Sequence, residues 1–294
     1  MSHVSKSRSQ GCVPDFARFK AQGRRIVMTT AYDAPTARIA DAAGVDAILV
    51  GDSLGNVCLG FENTLPVTMD MMLHHLQAVA RTHPRALLLA DMPYLSYHIG
   101  AEDTLRNGGA FMRVGAQGVK LEGGAVRIPM IRALVGAEIP VMGHLGLTPQ
   151  SIHAMGGYKV QGKEGSAAIA LLEDALRLQD AGCFAMLLEG IPAELAAKVT
   201  GALEIPTIGI GAGPECSGQV LVFHDLLGLL PGDAPKFVRK YLDGYALMVE
   251  AMSNWANDIR DGDYPGPAES YMLPEATRKL LNTWAPPKIQ ALEP

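Results

Sequence analysis

The sequence predicts an α/β fold, a (βα)8 TIM barrel with additional C-terminal helices. Three observations carry that expectation. Short runs rich in Val, Ile and Leu recur along the chain with helix-like segments between them. The runs are continuously apolar, which suits parallel strands covered on both faces. Eight such runs alternate with helical segments over roughly two hundred residues, which fits a closed barrel better than an open doubly wound sheet, the alternative at this point.

Composition sets the frame. A chain of 294 residues has room for one large domain or two ordinary ones. A hydrophobic content of 48% supplies a sizeable core and excludes global disorder. The formal net charge is −5 and no Lys/Arg block stands out, which argues against a nucleic-acid partner. Cys12, Cys58, Cys183 and Cys216 are far apart and form no CxxC pair, so neither zinc ligation nor a disulfide framework is expected. The first residues, MSHVSKSRSQG, lack the apolar centre of a secretory signal. No apolar stretch approaches the ~20 residues of a membrane span. The expectation is a cytoplasmic protein with no membrane partner. Its organisation is expected to be a polar N-terminal segment (1–20), a catalytic barrel with C-terminal helices (21–266) and a tail (267–294).

The elements follow in order. The expected strands are 24–33, 46–53, 86–93, 118–123, 140–146, 184–190, 206–213 and 218–228. After the first strand, DAPTARIADAAGV offers Asp33 as a cap, Pro35 in the first turn and Gly44 at the end of a helix. After the second, TMDMMLHHLQAVARTH starts at Thr68 and carries Asp70 in its first turn, where the helix dipole favours an acid. AEDTLRNGGAFMRVGA and SAAIALLEDALRLQDAGC show apolar residues at helical spacing. PAELAAKVTGAL follows Pro192 and is rich in good helix formers. Only GPECSG separates the seventh and eighth strands, too short for an ordinary crossover helix, so either that helix is vestigial or the eighth strand is displaced. After residue 230 the chain is expected to be helical, through APKFVRKYLDGYALMVEAMSNWANDIRDG.

Four strands end in an acid: Asp52, Asp91, Glu122 and Glu189. Their separations of 39, 31 and 67 residues amount to one unit, one unit and two units of the repeat. In a parallel barrel the strand C-termini build the active site, so the four acids should meet at one mouth. Four carboxylates repel one another unless positive charge sits among them. A hard divalent cation such as Mg²⁺ answers that need, with one or two carboxylates as ligands and waters or substrate oxygens for the rest. No histidines are paired at transition-metal spacing. His74 and His75 fall mid-helix, expected at the surface, while His144 and His224 at strand ends are candidate supporting donors. Lys120 alternates with Glu122 and so shares its face, where it can bind a substrate carboxylate or ketone oxygen, pair with one of the acids, or both. The glycines of GIGAG lack the dinucleotide fingerprint, because Pro214 stands where its next glycine would be and no helix follows. They are expected to serve close backbone packing at the mouth, or else to form a wall against the ligand.

The motifs GDSLG (51–55), TLPVT (64–68), LLADMP (88–93), VKLEGG (119–124), GHLGLTPQS (143–151), GGYKVQG (156–162), LLEGIPAELA (187–196), IPTIGIGAG (205–213) and VFHDLLG (222–228), in this order, resemble the ketopantoate hydroxymethyltransferase family over roughly residues 15–266. The resemblance implies a barrel of the phosphoenolpyruvate/pyruvate type. It also implies transfer of a hydroxymethyl group from 5,10-methylenetetrahydrofolate to 3-methyl-2-oxobutanoate, the first committed step of pantothenate biosynthesis, and a homo-oligomer, commonly a decamer. Carried over by motif, Asp52 and Asp91 ligate Mg²⁺ with Glu122 supporting it through water. Asp52, Ser53, Asp91 and Lys120 bind the α-keto acid, and Glu189 is the general base.

The implied chemistry suits these residue types. The C3 proton of an α-keto acid is weakly acidic, and positive charge at the keto oxygen eases its removal through an enolate. The base must be a carboxylate that the metal does not consume. The loop 156–162 is a candidate lid that keeps water from the enolate. A Mg²⁺-dependent lyase or mutase of the same barrel type is the alternative enzyme, but the catalytic cysteine motif of isocitrate lyase is missing. A barrel that merely binds a keto acid is the alternative outside enzymes.

Overall fold

Eight parallel strands close on themselves in sequence order: β1 (Ile26–Thr30), β2 (Ala47–Val50), β3 (Leu87–Asp91), β4 (Gly118–Glu122), β5 (Val141–Gly146), β6 (Ala185–Glu189), β7 (Thr207–Ile210) and β8 (Gly218–Leu221), with β8 pairing back onto β1. The structure is a computed structural model describing residues 10–286. Expectations for residues 1–9 and 287–294, the outer parts of the N-terminal segment and the tail, lie outside the described residues.

The helices are α1 (Val13–Ala21), α2 (Ala34–Ala42), α3 (Leu54–Val57), α4 (Met69–Ala80), α5 (Ala101–Arg113), α6 (Ile128–Gly136), α7 (Ile152–Met155), α8 (Gly165–Asp180), α9 (Ala193–Ala202), α10 (Phe223–Leu226), α11 (Gly244–Asp261) and α12 (Glu275–Asn282). Capping is as the sequence suggests at two of them. Asp33 accepts the Thr36 N–H at the start of α2, and Thr68 accepts the Met71 N–H at the start of α4. The eighth strand is in place but ends at Leu221: the Phe223 N–H turns to Thr30 Oγ1, and residues 223–226 of the expected strand form α10 instead. The crossover before it is vestigial, since residues 211–217 contain no helix.

The sequence signals were silent over α1, α6 and the short α3 and α7, and α12 falls in the stretch expected to be a tail. Helix α6, IPMIRALVG, is too apolar to show a polar face, and it buries Met130, Ile131 and Leu134. Helix α1 falls inside the stretch expected to be a polar N-terminal segment. Its Phe16 is buried, meets Phe184 edge-on at 5.5 Å and joins the residues that fill the barrel. Lys20 ties the helix down by donating to the carbonyls of Thr200, Leu203 and Ile205.

One expected helical stretch is not helical. Residues 231–243 form turns and irregular backbone, and the helix starts only at Gly244. Pro231 and Pro235 oppose a helical start there. The segment is held instead by the Tyr241 N–H on the Leu226 carbonyl and by Phe237 packed over Gly211.

Inward side chains such as Met28, Leu49, Leu89, Met142 and Leu187 fill the barrel, and a larger apolar layer lies between the strands and the helices. The chain divides into two compact units, one ending at Leu242 and one starting at Asp243. The barrel and its mouth belong to the first. The second holds α11 and α12, and Leu247, Met248, Met252, Trp255 and Ile259 along α11 are exposed. No described helix is long and apolar enough to cross a membrane.

Candidate active site

The alternation that fills the barrel also builds its mouth. Leu87, Leu89 and Asp91 point inward from β3, Gly118, Lys120 and Glu122 from β4, and Ala185, Leu187 and Glu189 from β6. Each column begins with small or apolar residues and ends in a charge at the C-terminal rim. Register then sets the neighbours: Asp91 lies opposite Lys120, Glu122 opposite His144, and Glu189 opposite Gly146. Asp52 arrives differently. It lies two residues beyond β2 in a turn closed by the Leu54 N–H on the Gly51 carbonyl, so the turn rather than strand alternation aims it.

All six residues singled out from the sequence meet in one region. Lys120 Nζ lies 2.6 Å from Asp91 Oδ1 and 3.7 Å from Glu122 Oε1. The Asp52 N–H donates to Asp91 Oδ2 at 3.3 Å. Ser53 Oγ is 2.8 Å from the Tyr32 hydroxyl. His144 bridges two acids, with Nδ1 at 3.4 Å from Glu122 Oε1 and Nε2 at 3.3 Å from Glu189 Oε2. These are ion-pair contacts rather than well-aligned hydrogen bonds. Lys120 Nζ, a donor, faces Nδ1 at 3.3 Å. The side chain of Glu189 keeps 17% exposure, against 2% for Asp91 and Glu122. It is therefore the most open of these carboxylates and faces the cavity.

Electrostatics reports a surplus of negative charge. Burial, with Asp91 and Glu122 nearby, raises the Asp52 carboxyl well above the usual range, against the pull of Lys120 and of the Gln150 amide. Burial alone would discharge Lys120, but Asp91, Glu122 and Asp52 outweigh it and hold the ammonium charged. Burial and Lys120 oppose protonation of His144, yet Glu122 and Glu189 raise it to about 9.

Two residues carry the site that sequence reasoning did not single out. Gln150, in a single 3-10 turn after β5 (Pro149–Ser151), donates its amide to Asp52 Oδ2 and to the Met92 carbonyl, both at 2.9 Å, and its backbone N–H to Glu122 Oε2 at 3.0 Å. The Tyr97 hydroxyl donates to Gln150 Oε1 at 2.6 Å and accepts the Glu122 N–H at 3.2 Å. Of the remaining histidines, His75 is not a plain surface residue, because its Nδ1 sits 2.7 Å from the Tyr32 carbonyl. His224 lines the mouth in α10, 4.0 Å from Cys58 Sγ.

Above the acids opens a cavity of about 1000 Å³. Asp52, Ser53, Asp91, Lys120, Glu122 and Glu189 lie among its lining residues. Tyr158, Lys159 and Val160 of the loop 156–162 line it too, as does the segment from Leu230 to Lys240. The loop is pinned at one end by the Gln161 N–H on the Gly190 carbonyl. The glycines of GIGAG pack closely, and Gly211 and Gly213, just past β7, also line the cavity wall. Gly211 and Gly213 have positive φ, and a Cβ on them would lie 2.9 Å from Phe237 and 2.4 Å from Ala193.

The donor set fits a hard cation bound by few protein ligands. Among the described residues no three His, Cys, Asp or Glu side chains form a metal-holding group. Mg²⁺ needs only one or two carboxylates, and Asp52 and Asp91 are adjacent, buried and oxygen-bearing. Asp91 Oδ1 is buried with no aligned hydrogen bond, only its ion pair with Lys120. Glu122 is already engaged by Gln150, Lys120 and His144, which suits a supporting position rather than a direct bond.

Comparison with known proteins gives a consistent picture. Residues 10–267 match the family model described as ketopantoate hydroxymethyltransferase. The chain is 63% identical over 287 residues to 3-methyl-2-oxobutanoate hydroxymethyltransferase 2 of Bradyrhizobium diazoefficiens, covering 97% of this chain and 98% of the relative. It is 63% identical over 270 residues to the 3-methyl-2-oxobutanoate hydroxymethyltransferase of Methylobacterium sp., covering 92% and 94%. Among solved structures, a phosphonopyruvate hydrolase complexed with oxalate and Mg²⁺ aligns with a TM-score of 0.59 at 14% identity, covering 92% of this chain and 95% of that one. A 2,3-dimethylmalate lyase of the phosphoenolpyruvate mutase/isocitrate lyase superfamily aligns at 0.58 and 21%, covering 92% and 94%. These two share the barrel fold.

Proposed function

The chain belongs to the ketopantoate hydroxymethyltransferase family and converts 3-methyl-2-oxobutanoate to ketopantoate in pantothenate biosynthesis, and on that premise we propose how its residues divide the work. The donor is 5,10-methylenetetrahydrofolate, Mg²⁺ is held by Asp52 and Asp91 with Glu122 in support through water, and Glu189 is the base. One observation carries this reading. Three buried acids and a buried lysine meet on the cavity floor, and the fourth acid stands open to the same space with His144 at its back.

Asp52 and Asp91 would hold the divalent cation, which would supply positive charge to the keto oxygen and so ease loss of the C3 proton. Lys120 pairs with the substrate carboxylate or keto oxygen, and its ion pair with Asp91 fixes the ammonium in place. Ser53, held by Tyr32, adds a hydroxyl donor beside it. Glu189 takes the proton from C3. His144, protonated by the acids around it, stays a donor toward Glu189 rather than a competing base. The C3–H electron pair forms the new C–C bond to the one-carbon unit, whose two C–N bonds to the folate break; water supplies the hydroxyl oxygen, and of the C3 proton and the two water protons one stays on the hydroxyl and two end on the nitrogens of the departing tetrahydrofolate. Tyr158 to Val160 shield the floor from bulk water while this happens. A cavity of about 1000 Å³ is larger than a five-carbon keto acid needs, which leaves room for the donor.

The protein works as a homo-oligomer in this reading, a decamer by family resemblance. The test of the cofactor reading is tetrahydrofolate release from protein stripped with EDTA, against added Mg²⁺. Activity should vanish on stripping and return on titration; full activity without a divalent cation rejects it.

A further inference from the structure

We infer that Gln150 is a positioning residue that sets Asp52 and Glu122 as one rigid unit, and that the site's affinity for a divalent cation and for the keto acid depends on this amide. The inference rests on the proposed cation site and goes beyond its ligands.

The hydrogen bonds of Gln150 leave no freedom. Its side-chain nitrogen has two hydrogens, and both are used, on Asp52 Oδ2 and on the Met92 carbonyl. Its side-chain oxygen accepts from the Tyr97 hydroxyl at 2.6 Å. Turning the amide over would set its oxygen against the Met92 carbonyl, which has no hydrogen to give, and its nitrogen against the Tyr97 hydroxyl, which already accepts the Glu122 N–H. The orientation is therefore dictated by chemistry. Gln150 and Tyr97 are buried at 4% and 0% exposure, so water cannot replace these bonds.

Two consequences follow for the acids. The amide occupies Asp52 Oδ2, and among the described residues no hydrogen bond is made to Oδ1, which is left to serve the cavity. Gln150 also holds Glu122 through its own backbone N–H, and Tyr97 accepts the N–H of Glu122. A displacement of the turn at residue 150 thus moves both acids together. Gln150 touches neither reacting atom nor base, and acts only through the acids it holds. A glutamate at this position would add a fourth buried acid beside Asp52 and could not give both hydrogens.

The test uses the full chain and Mn²⁺ as the probe, bound to Gln150→Met and followed by calorimetry and by the Mn²⁺ paramagnetic signal. Methionine is close to glutamine in length and volume but donates nothing. Expected is a Mn²⁺ affinity about 10–100-fold weaker than wild type, the usual cost of losing an outer-shell partner. The KM for 3-methyl-2-oxobutanoate should rise at saturating Mn²⁺, and the circular dichroism should stay that of a folded barrel. A folded Gln150→Met that binds Mn²⁺ at wild-type strength overturns the inference. Should that variant fail to fold, Tyr97→Phe decides: it keeps the aromatic ring and frees the amide, so affinity should fall in the same direction, and an unchanged affinity overturns the inference. Wild-type protein that binds no Mn²⁺ overturns the cation site and this inference with it, which separates the two failures.

Discussion

Lys120 and His144 are the buried positive groups among the acids at the mouth, and their different partners divide the site. Lys120 closes on Asp91 at 2.6 Å, beside the proposed cation ligands, while His144 spans Glu122 and Glu189, the proposed base. That division carries two predictions. Asp52→Asn and Asp91→Asn should nearly abolish turnover, because each removes a proposed direct ligand. Glu122→Gln should weaken Mg²⁺ by only about 10–100-fold, because an outer partner orients rather than binds. A Mg²⁺ titration of turnover checks this; a Glu122→Gln variant as damaged as the aspartate variants and not rescued by excess Mg²⁺ contradicts the division. The second concerns pH. Neighbouring carboxylates raise His144 to about 9 in the folded chain, above the ordinary value of about 6.5. The folded state therefore binds this proton more tightly than the unfolded state. The stability it contributes is complete below pH ~6.5 and is lost as pH rises through about 9. The difference in Tm between wild type and His144→Gln should shrink across that window; a difference that grows or stays constant contradicts the assignment.

Among the elements, β3, β4 and β6 position the acids by strand alternation alone, and α1 closes the floor beneath them. Phe16 is 1% exposed among residues that fill the barrel. Phe16→Ala should therefore cost about 3–5 kcal/mol in urea unfolding, whereas a cost below about 1 kcal/mol would mean that α1 is not part of the core. Much of this was legible in the sequence because a parallel barrel repeats. Apolar runs ending in Asp91, Glu122 and Glu189 identify both the strands and the face of the sheet that carries chemistry. Helices with a cap and a polar face, such as α2 and α4, were legible for the same reason: their signals are local. Helix α6 was not, since an almost wholly apolar segment has no periodicity to detect. The stretch 231–243 misled because its apolar residues serve the cavity wall and not a helix face. Gln150 escaped for a different reason. An amide is not chemistry-bearing by type, and its partners lie 28 to 98 residues away, so only the closed barrel brings them together.

At the scale of the whole molecule, the second unit raises the question of partners. Along α11, Tyr245, Met248, Met252, Trp255 and Ile259 recur at steps of three and four and are exposed. Such a seam is stable when it is buried against another helix. A homo-oligomer should therefore be seen by light scattering at micromolar concentration, and Met252→Glu should shift it toward smaller species; a stable wild-type monomer contradicts this. The proposed chemistry comes down to one step, removal of the C3 proton, which the proposal gives to Glu189. Its most direct measurement is exchange of that proton in heavy water, without folate, by wild type and by Glu189→Gln, followed by proton NMR of 3-methyl-2-oxobutanoate with Mg²⁺ present. Glutamine keeps the shape and removes the basicity, so binding of Mg²⁺ and keto acid should be nearly unchanged while exchange falls by roughly 10²–10⁴-fold. Exchange by Glu189→Gln at the wild-type rate would contradict the account and move the search for the base to His144.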